Sequence, residues 1–213
     1  MTSTETRHYS APDPTAPTLV LGHGAGAGQD HPWMRRVAGA LSARGVHVVT
    51  FNFPYMAGGR SVPDKGDVLE AAFQAVWAEV AQTARGPLLA GGKSMGGRIA
   101  SQAASAKVFE PAPAGLVFFG YPLHPPGKAA QRRDRHLPAI TAPMLFLHGT
   151  RDPFGSPDEL SDLVAALPLA TLSIVDGGDH SLVAPKRQDP KGESVEGAVE
   201  TAVAWIAGLG AAR

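Results

Sequence analysis

The chain has 213 residues, 44% hydrophobic and 18% charged, a globular balance with no run of about 18 apolar residues of the kind that spans a bilayer. Its 19 basic residues balance 19 acidic ones, for a formal net charge of +0, which excludes a polyanion such as nucleic acid as the expected partner. With no cysteine, disulfides, thiolate metal sites and a cysteine nucleophile are excluded, and a polar start without an apolar signal core predicts a cytoplasmic location.

Residues 1–17 are polar and proline-spotted and read as an N-terminal extension or edge strand ahead of a single domain over 18–213. Short apolar runs then alternate with helix-like stretches. A strand is predicted at 18–21, followed by the glycine-rich turn His23-Gly24-Ala25-Gly26 and a helix over 33–43. The next strand, 46–51, leads through the loop 52–66 to a helix over 67–84. A short strand at 88–90 precedes a helix over 95–106. After the strand 116–119 comes the loop 120–143, whose basic stretch 128–136 reads as solvated surface because it contains Asp134 and no interleaved aromatics. Strands at 144–147 and 172–175 flank a helix over 158–166. A final helix over 195–209 carries one apolar stripe, Val195, Val199, Ala202, Ile206 and Leu209.

This order predicts an α/β protein, a three-layer α/β/α sandwich whose mostly parallel central sheet has about six or seven strands, with a minimal cap. Ligands of such a sheet bind beyond the carboxyl ends of its strands. The loops 52–66 and 120–143 are therefore expected to rim the site, with Tyr55, Met56, Tyr121, Leu123 and His124 as candidate pocket residues.

The chemistry centres on Gly92-Lys93-Ser94-Met95-Gly96, a G-x-S-x-G pattern between a predicted strand and a predicted helix. Chance supplies about 0.2 such patterns in a chain of this composition, so the strand–turn–helix context is what carries the signal. A serine hydroxyl is a poor nucleophile until a base takes its proton. An acid and a histidine follow in the order the chemistry needs. Asp152 lies 152 − 94 = 58 residues after Ser94, just past one strand, and His180 lies 180 − 152 = 28 residues further, just past another. Ser94 is thus the candidate nucleophile, His180 the base and Asp152 the acid that orients it, with Asp176 and Asp179 as rivals for that last role. The expected oxyanion donors are the Met95 N–H and an amide of the turn after the first strand, for which Ala25 is chosen over Gly24 and Gly26. His23 and His148, each before a glycine at a strand end, read as structural hydrogen-bonders.

Two other glycine-rich readings fail on spacing. A phosphate-binding loop ending at Lys93-Ser94 needs its first glycine where Pro87 stands. The segment Gly22 to Ala27 fits a relaxed dinucleotide pattern, but the second strand ends at Asn52 without the acid that holds a ribose.

Together His-Gly-Ala-Gly, Gly-Lys-Ser-Met-Gly-Gly, His-Gly-Thr-Arg-Asp and Gly-Asp-His resemble the α/β-hydrolase superfamily over 19–180. Within it the chain resembles the compact, dienelactone-hydrolase-like serine hydrolases, and its elbow is similar to that of monoacylglycerol lipases. Dienelactone hydrolases use a cysteine where this chain has Ser94. The expected activity is cleavage of a small or medium acyl ester or thioester through an acyl-Ser94 intermediate, carboxylesterase-like. Its partner is a small-molecule acyl substrate, with no metal and no organic cofactor, and the oligomeric state stays open. The alternative is a catalytically inactive protein of the same fold that serves as a binding or scaffold module.

Overall fold

The computed structural model describes residues 5–211. The apolar runs become β2 (Thr18–Gly22), β3 (His47–Phe51), β4 (Leu88–Lys93), β5 (Gly115–Phe119), β6 (Met144–Gly149) and β7 (Ala170–Val175), joined by β1 (Thr6–Tyr9). They form one seven-stranded sheet in the order β1-β3-β2-β4-β5-β6-β7. All neighbours from β3 through β7 pair in parallel, whereas β1 is antiparallel to β3, with Thr6 opposite Phe51. Residues 6–9 of the expected extension are therefore the sheet's antiparallel edge, while residues 1–4 lie outside the described residues.

Side chains of successive strand residues point to opposite faces, and the sheet uses both. Leu19, Leu21, Val48, Leu89, Val117, Phe119, Leu145 and Leu147 face α1 (Pro32–Ser42) and α6 (Ser194–Ala211). The alternate residues Val20, Val49, Phe51 and Ala90 face α3 (Gly66–Ala81) and α4 (Met95–Ser105). On the same side, Leu116, Phe118 and Phe146 pack with Leu160 of α5 (Pro157–Ala165). Each fully buried large side chain, such as Phe73 or Trp77 of α3, contributes about 1.5–3 kcal/mol of transfer free energy.

Helix ends follow from local chemistry. At α5, Ser156 Oγ accepts from the Glu159 N–H at 3.2 Å and Glu159 Oε2 accepts from the Ser156 N–H at 2.9 Å, with Pro157 in the first turn. A four-residue helix α2 (Pro54–Ala57) and a 3₁₀ turn (Leu137–Ala139) lie inside segments expected to be loop. No helix among the described residues is long and apolar enough to cross a membrane.

Candidate active site

β4 runs to Lys93, three residues beyond the predicted end, and α4 begins at Met95, so Ser94 alone makes the turn between them. Its backbone sits at φ 51° and ψ −114°, a region that side-chain-bearing residues rarely occupy and that costs about 1–3 kcal/mol. The strain is held from both sides. The Ser94 N–H donates to the Phe119 carbonyl at the end of β5 (3.1 Å), and the Ser94 carbonyl accepts from Arg98 of α4 (3.1 Å). The flanking glycines permit the turn: a Cβ on Gly96 would lie 2.2 Å from the Gly22 carbonyl oxygen, and one on Gly92 would lie 2.4 Å from the Gly96 carbonyl carbon.

The loops after β4, β6 and β7 bring Ser94, Asp152 and His180 into one hydrogen-bonded chain. His180 Nε2 is 2.7 Å from Ser94 Oγ, and His180 Nδ1 is 2.8 Å from Asp152 Oδ2. Asp152 Oδ1 accepts from the Phe154 N–H at 2.9 Å, so both carboxylate oxygens are occupied. Burial by itself would raise the Asp152 carboxyl, but the hydrogen bond and charge of His180 and the Phe154 N–H outweigh it and hold the group below its ordinary value. An anionic Asp152 accepts the Nδ1 proton of neutral His180 and leaves Nε2 free to accept from the serine hydroxyl. His180 itself is pushed below its ordinary value, first by burial and further by the Lys93 charge, against the opposing pull of Asp152. The ring also stacks on Phe154, centroids 4.1 Å apart.

The rival acids are placed elsewhere. Asp179 Oδ1 accepts from the Ser181 N–H at 2.7 Å and the Val183 N–H at 3.1 Å, closing the turn that carries His180, and Asp176 is exposed. His148 is fully buried and its Nε2 bonds to the Gly155 carbonyl at 2.8 Å, leaving Nδ1 3.6 Å from Asp152, beyond hydrogen-bonding reach.

Met95 is the first residue of α4, so no helical carbonyl precedes it to accept its N–H. Across the site, the turn after β2 is fixed from below. His23 Nε2 accepts from the Phe53 N–H at 3.0 Å, which leaves Nδ1 protonated to donate to the Gly24 carbonyl at 2.7 Å. The Tyr55 hydroxyl donates to the Ala25 carbonyl at 2.8 Å. In a trans peptide the N–H points opposite to the preceding carbonyl, so the Ala25 and Gly26 amides face away from these two buried rings.

A cavity of about 310 Å³ opens over Ser94. Its apolar wall comes from Trp33 and Met34 of α1 and from Phe154, with Ala25, Lys93, His180 and His31 completing it. The expected pocket residues do not line it. Tyr55 is drawn under the β2 turn by its bond to Ala25, and Met56 packs beside Gly28 on the core around α3. Tyr121 is held in the core against Phe118 and Phe146, and its hydroxyl donates to the Arg133 carbonyl at 2.9 Å. Leu123 is fully buried in that cluster, and His124 bonds to the Pro125 carbonyl at 2.9 Å and lies beside Glu159. The loops 52–66 and 120–143 therefore fold back over the α3–α5 layer, and the rim is built instead from the β2 turn, the start of α1 and the segments after β6 and β7. Among the described residues no group of three or more histidines, aspartates and glutamates is arranged to hold a metal.

Solved structures share this fold at low identity. A dienelactone hydrolase from Anabaena variabilis superposes with a TM-score of 0.72 at 19% identity, covering 94% of this chain and 89% of that one. A monoacylglycerol lipase from Paleococcus ferrophilus gives 0.71 at 16% identity, covering 98% and 100%. An α/β serine hydrolase without lid from Xanthomonas campestris gives 0.69 at 21% identity, covering 95% and 94%. No curated protein matches the sequence. The model of the alpha/beta hydrolase domain family matches residues 15–207, most of the sequence, and the chain belongs to that family.

Proposed function

We propose that the chain is a serine hydrolase that cleaves a small or medium acyl ester or thioester through an acyl-Ser94 intermediate. The observation that carries this reading is the continuous chain from Ser94 Oγ through His180 to Asp152, at 2.7 and 2.8 Å, placed at the floor of the cavity. Neutral His180 takes the hydroxyl proton as Ser94 attacks the carbonyl carbon, and Asp152 stabilises the imidazolium that forms. The Met95 and Ala25 N–H groups receive the oxyanion, each donor worth about 2.7–4 kcal/mol in the transition state. His180 then protonates the leaving alcohol or thiol, and a water activated by the same imidazole releases the acid. No cofactor enters these steps.

The cavity supports a substrate of limited size. At about 310 Å³ it lies near the lower bound of small-molecule sites, and its Trp33, Met34 and Phe154 wall suits an apolar acyl or alcohol group of a few carbons. The neighbours' names are consistent with acyl chemistry, since they include a dienelactone hydrolase and a monoacylglycerol lipase. With a series of p-nitrophenyl esters, kcat/KM is expected to be highest for acyl chains of a few carbons and to fall at least about tenfold for chains that overfill the cavity. Absence of turnover across short esters and thioesters contradicts the proposal, and an optimum at long chains contradicts the size limit.

A further inference from the structure

The buried charge nearest the nucleophile has no part in the steps above. Lys93, the residue before Ser94, is only 9% exposed. Its ammonium donates to the His180 carbonyl and lies 5.6 Å from the centroid of the Trp33 ring. No carboxylate forms an ion pair with it among the described residues; Asp152 and Asp179 act on it from further away. A buried cation without an ion pair is expensive, and a structural role alone is better served by an apolar side chain of the same length.

On the serine-hydrolase reading above, we infer that Lys93 is a positioning residue for the base: its ammonium pins the His180 main chain and holds a positive charge beside the imidazole. The convergence point is Gly120 at the end of β5, whose φ of +68° already favours glycine. A Cβ there would lie 2.6 Å from the His180 carbonyl oxygen, 3.3 Å from Lys93 Nζ and 3.4 Å from His180 Nδ1, so the strand end, the ammonium and the imidazole meet around one residue. The neighbouring carbonyl, that of Ser181, accepts from Trp33 Nε1 at 2.8 Å. Two consecutive carbonyls of the histidine loop are thus held from β4 and α1, and neither anchor draws on the side chains of the Ser94–His180–Asp152 chain.

The charge acts in a defined direction. Lys93 disfavours the imidazolium, Asp152 favours both cations, and Asp179 on the histidine's own loop favours the ammonium. His148 of β6 faces the pair from below, and His31 at the start of α1 lines the cavity above. His23 at the end of β2 is kept neutral by burial and is spent on Phe53 and Gly24. Burial pushes the Lys93 ammonium down to about 8, partly offset by Asp152 and Asp179, so its charge is present through neutral pH and is lost as pH rises through that region.

The test is the pH profile of kcat/KM on a short p-nitrophenyl ester for wild type, Lys93→Met, Lys93→Gln and Lys93→Arg, with Tm measured on each. In Lys93→Met the acidic limb is expected to move to higher pH and kcat to fall about tenfold with KM little changed, while Tm stays equal or rises. Lys93→Arg keeps a charge at all working pH values, so it should hold the acidic limb at the wild-type position. Lys93→Gln separates the tether from the charge, because it can still donate to the His180 carbonyl and should nevertheless show the shifted limb. An acidic limb unmoved in both neutral variants overturns the inference, as does an activity loss that only follows a loss of Tm. Should Lys93→Met fail to fold, the Gln and Arg profiles decide it by the same criteria. Phosphonate labelling of wild-type Ser94 keeps the two claims apart: labelling with an unmoved limb overturns the role of Lys93 alone, and no labelling overturns the serine reading itself.

Discussion

His180→Ala is expected to lower kcat for a short ester by on the order of 10⁶-fold while leaving KM within a few-fold of wild type. Among the described residues the imidazole is the only side chain that bonds both Ser94 and Asp152, and its removal leaves the hydroxyl without that acceptor for its proton. The fold should tolerate the change. The His180 side chain is 22% exposed, and the loop's main chain is still held by Lys93, by Trp33 and by the Asp179 turn. Truncation does leave the Asp152 carboxylate buried with the Phe154 N–H as its nearest donor, so a fall in Tm of a few degrees is expected. Steady-state kinetics with circular dichroism checks both halves; a kcat within about tenfold of wild type in a folded variant contradicts the assignment of the base.

Asp152→Asn is expected to cost about 10⁴-fold in kcat with little change in the backbone. The physical cause is the tautomer. Asp152 Oδ2 can only accept, so it fixes the proton of His180 on Nδ1; an amide NH₂ in its place donates toward Nδ1 and moves the proton to Nε2, where the serine needs a lone pair. The carboxylate also stabilises the fold. Its folded-state pKa lies below the ordinary value, so that contribution is present above the unfolded pKa and lost as pH falls through the folded one, and in the variant this pH dependence should disappear. Asp179→Asn and Asp176→Asn serve as controls. Asn at 179 can still accept the Ser181 N–H, and 176 is exposed, so both should keep kcat within a few-fold. A larger loss at either than at Asp152 would reassign the orienting acid.

Much of the arrangement was legible in the sequence because a parallel sheet places its chemistry at strand ends. Ser94, Asp152 and His180 each lie within a few residues of the end of an apolar run, and the order of runs and helices implies the layers that bring those ends to one edge. The strand order itself, with β4 between β2 and β5, depends on long-range pairing that no local pattern records. β1 was legible only as an N-terminal extension or edge strand because Thr-Arg-His-Tyr is a half-buried edge with no apolar run, and β4 seemed to stop early because Gly91 and Gly92 look like a turn, whereas they continue the strand and Gly92 lies against α4.

The pocket wall was misread for a different reason. An aromatic residue after a strand can turn toward the cleft or into the core, and hydrogen bonds of the tyrosine tips decided it: Tyr55 to Ala25 and Tyr121 to Arg133. The residues that do form the wall gave weaker signals. Trp33 and Met34 belong to the apolar stripe of α1, and Phe154 follows Asp152 by two residues, close enough to be noticed as its neighbour. Lys93 carries the least legible role, since a lysine ordinarily reads as solvent-facing and only the structure shows its ammonium beneath the histidine loop.

The most direct measurement is labelling with a small alkyl phosphonate fluoride followed by peptide mass spectrometry. A nucleophilic Ser94 predicts one phosphonyl adduct on the peptide that contains it, slowed by several orders of magnitude in His180→Ala and absent from Ser94→Ala. An unlabelled wild type, or an equal adduct in Ser94→Ala, would contradict it.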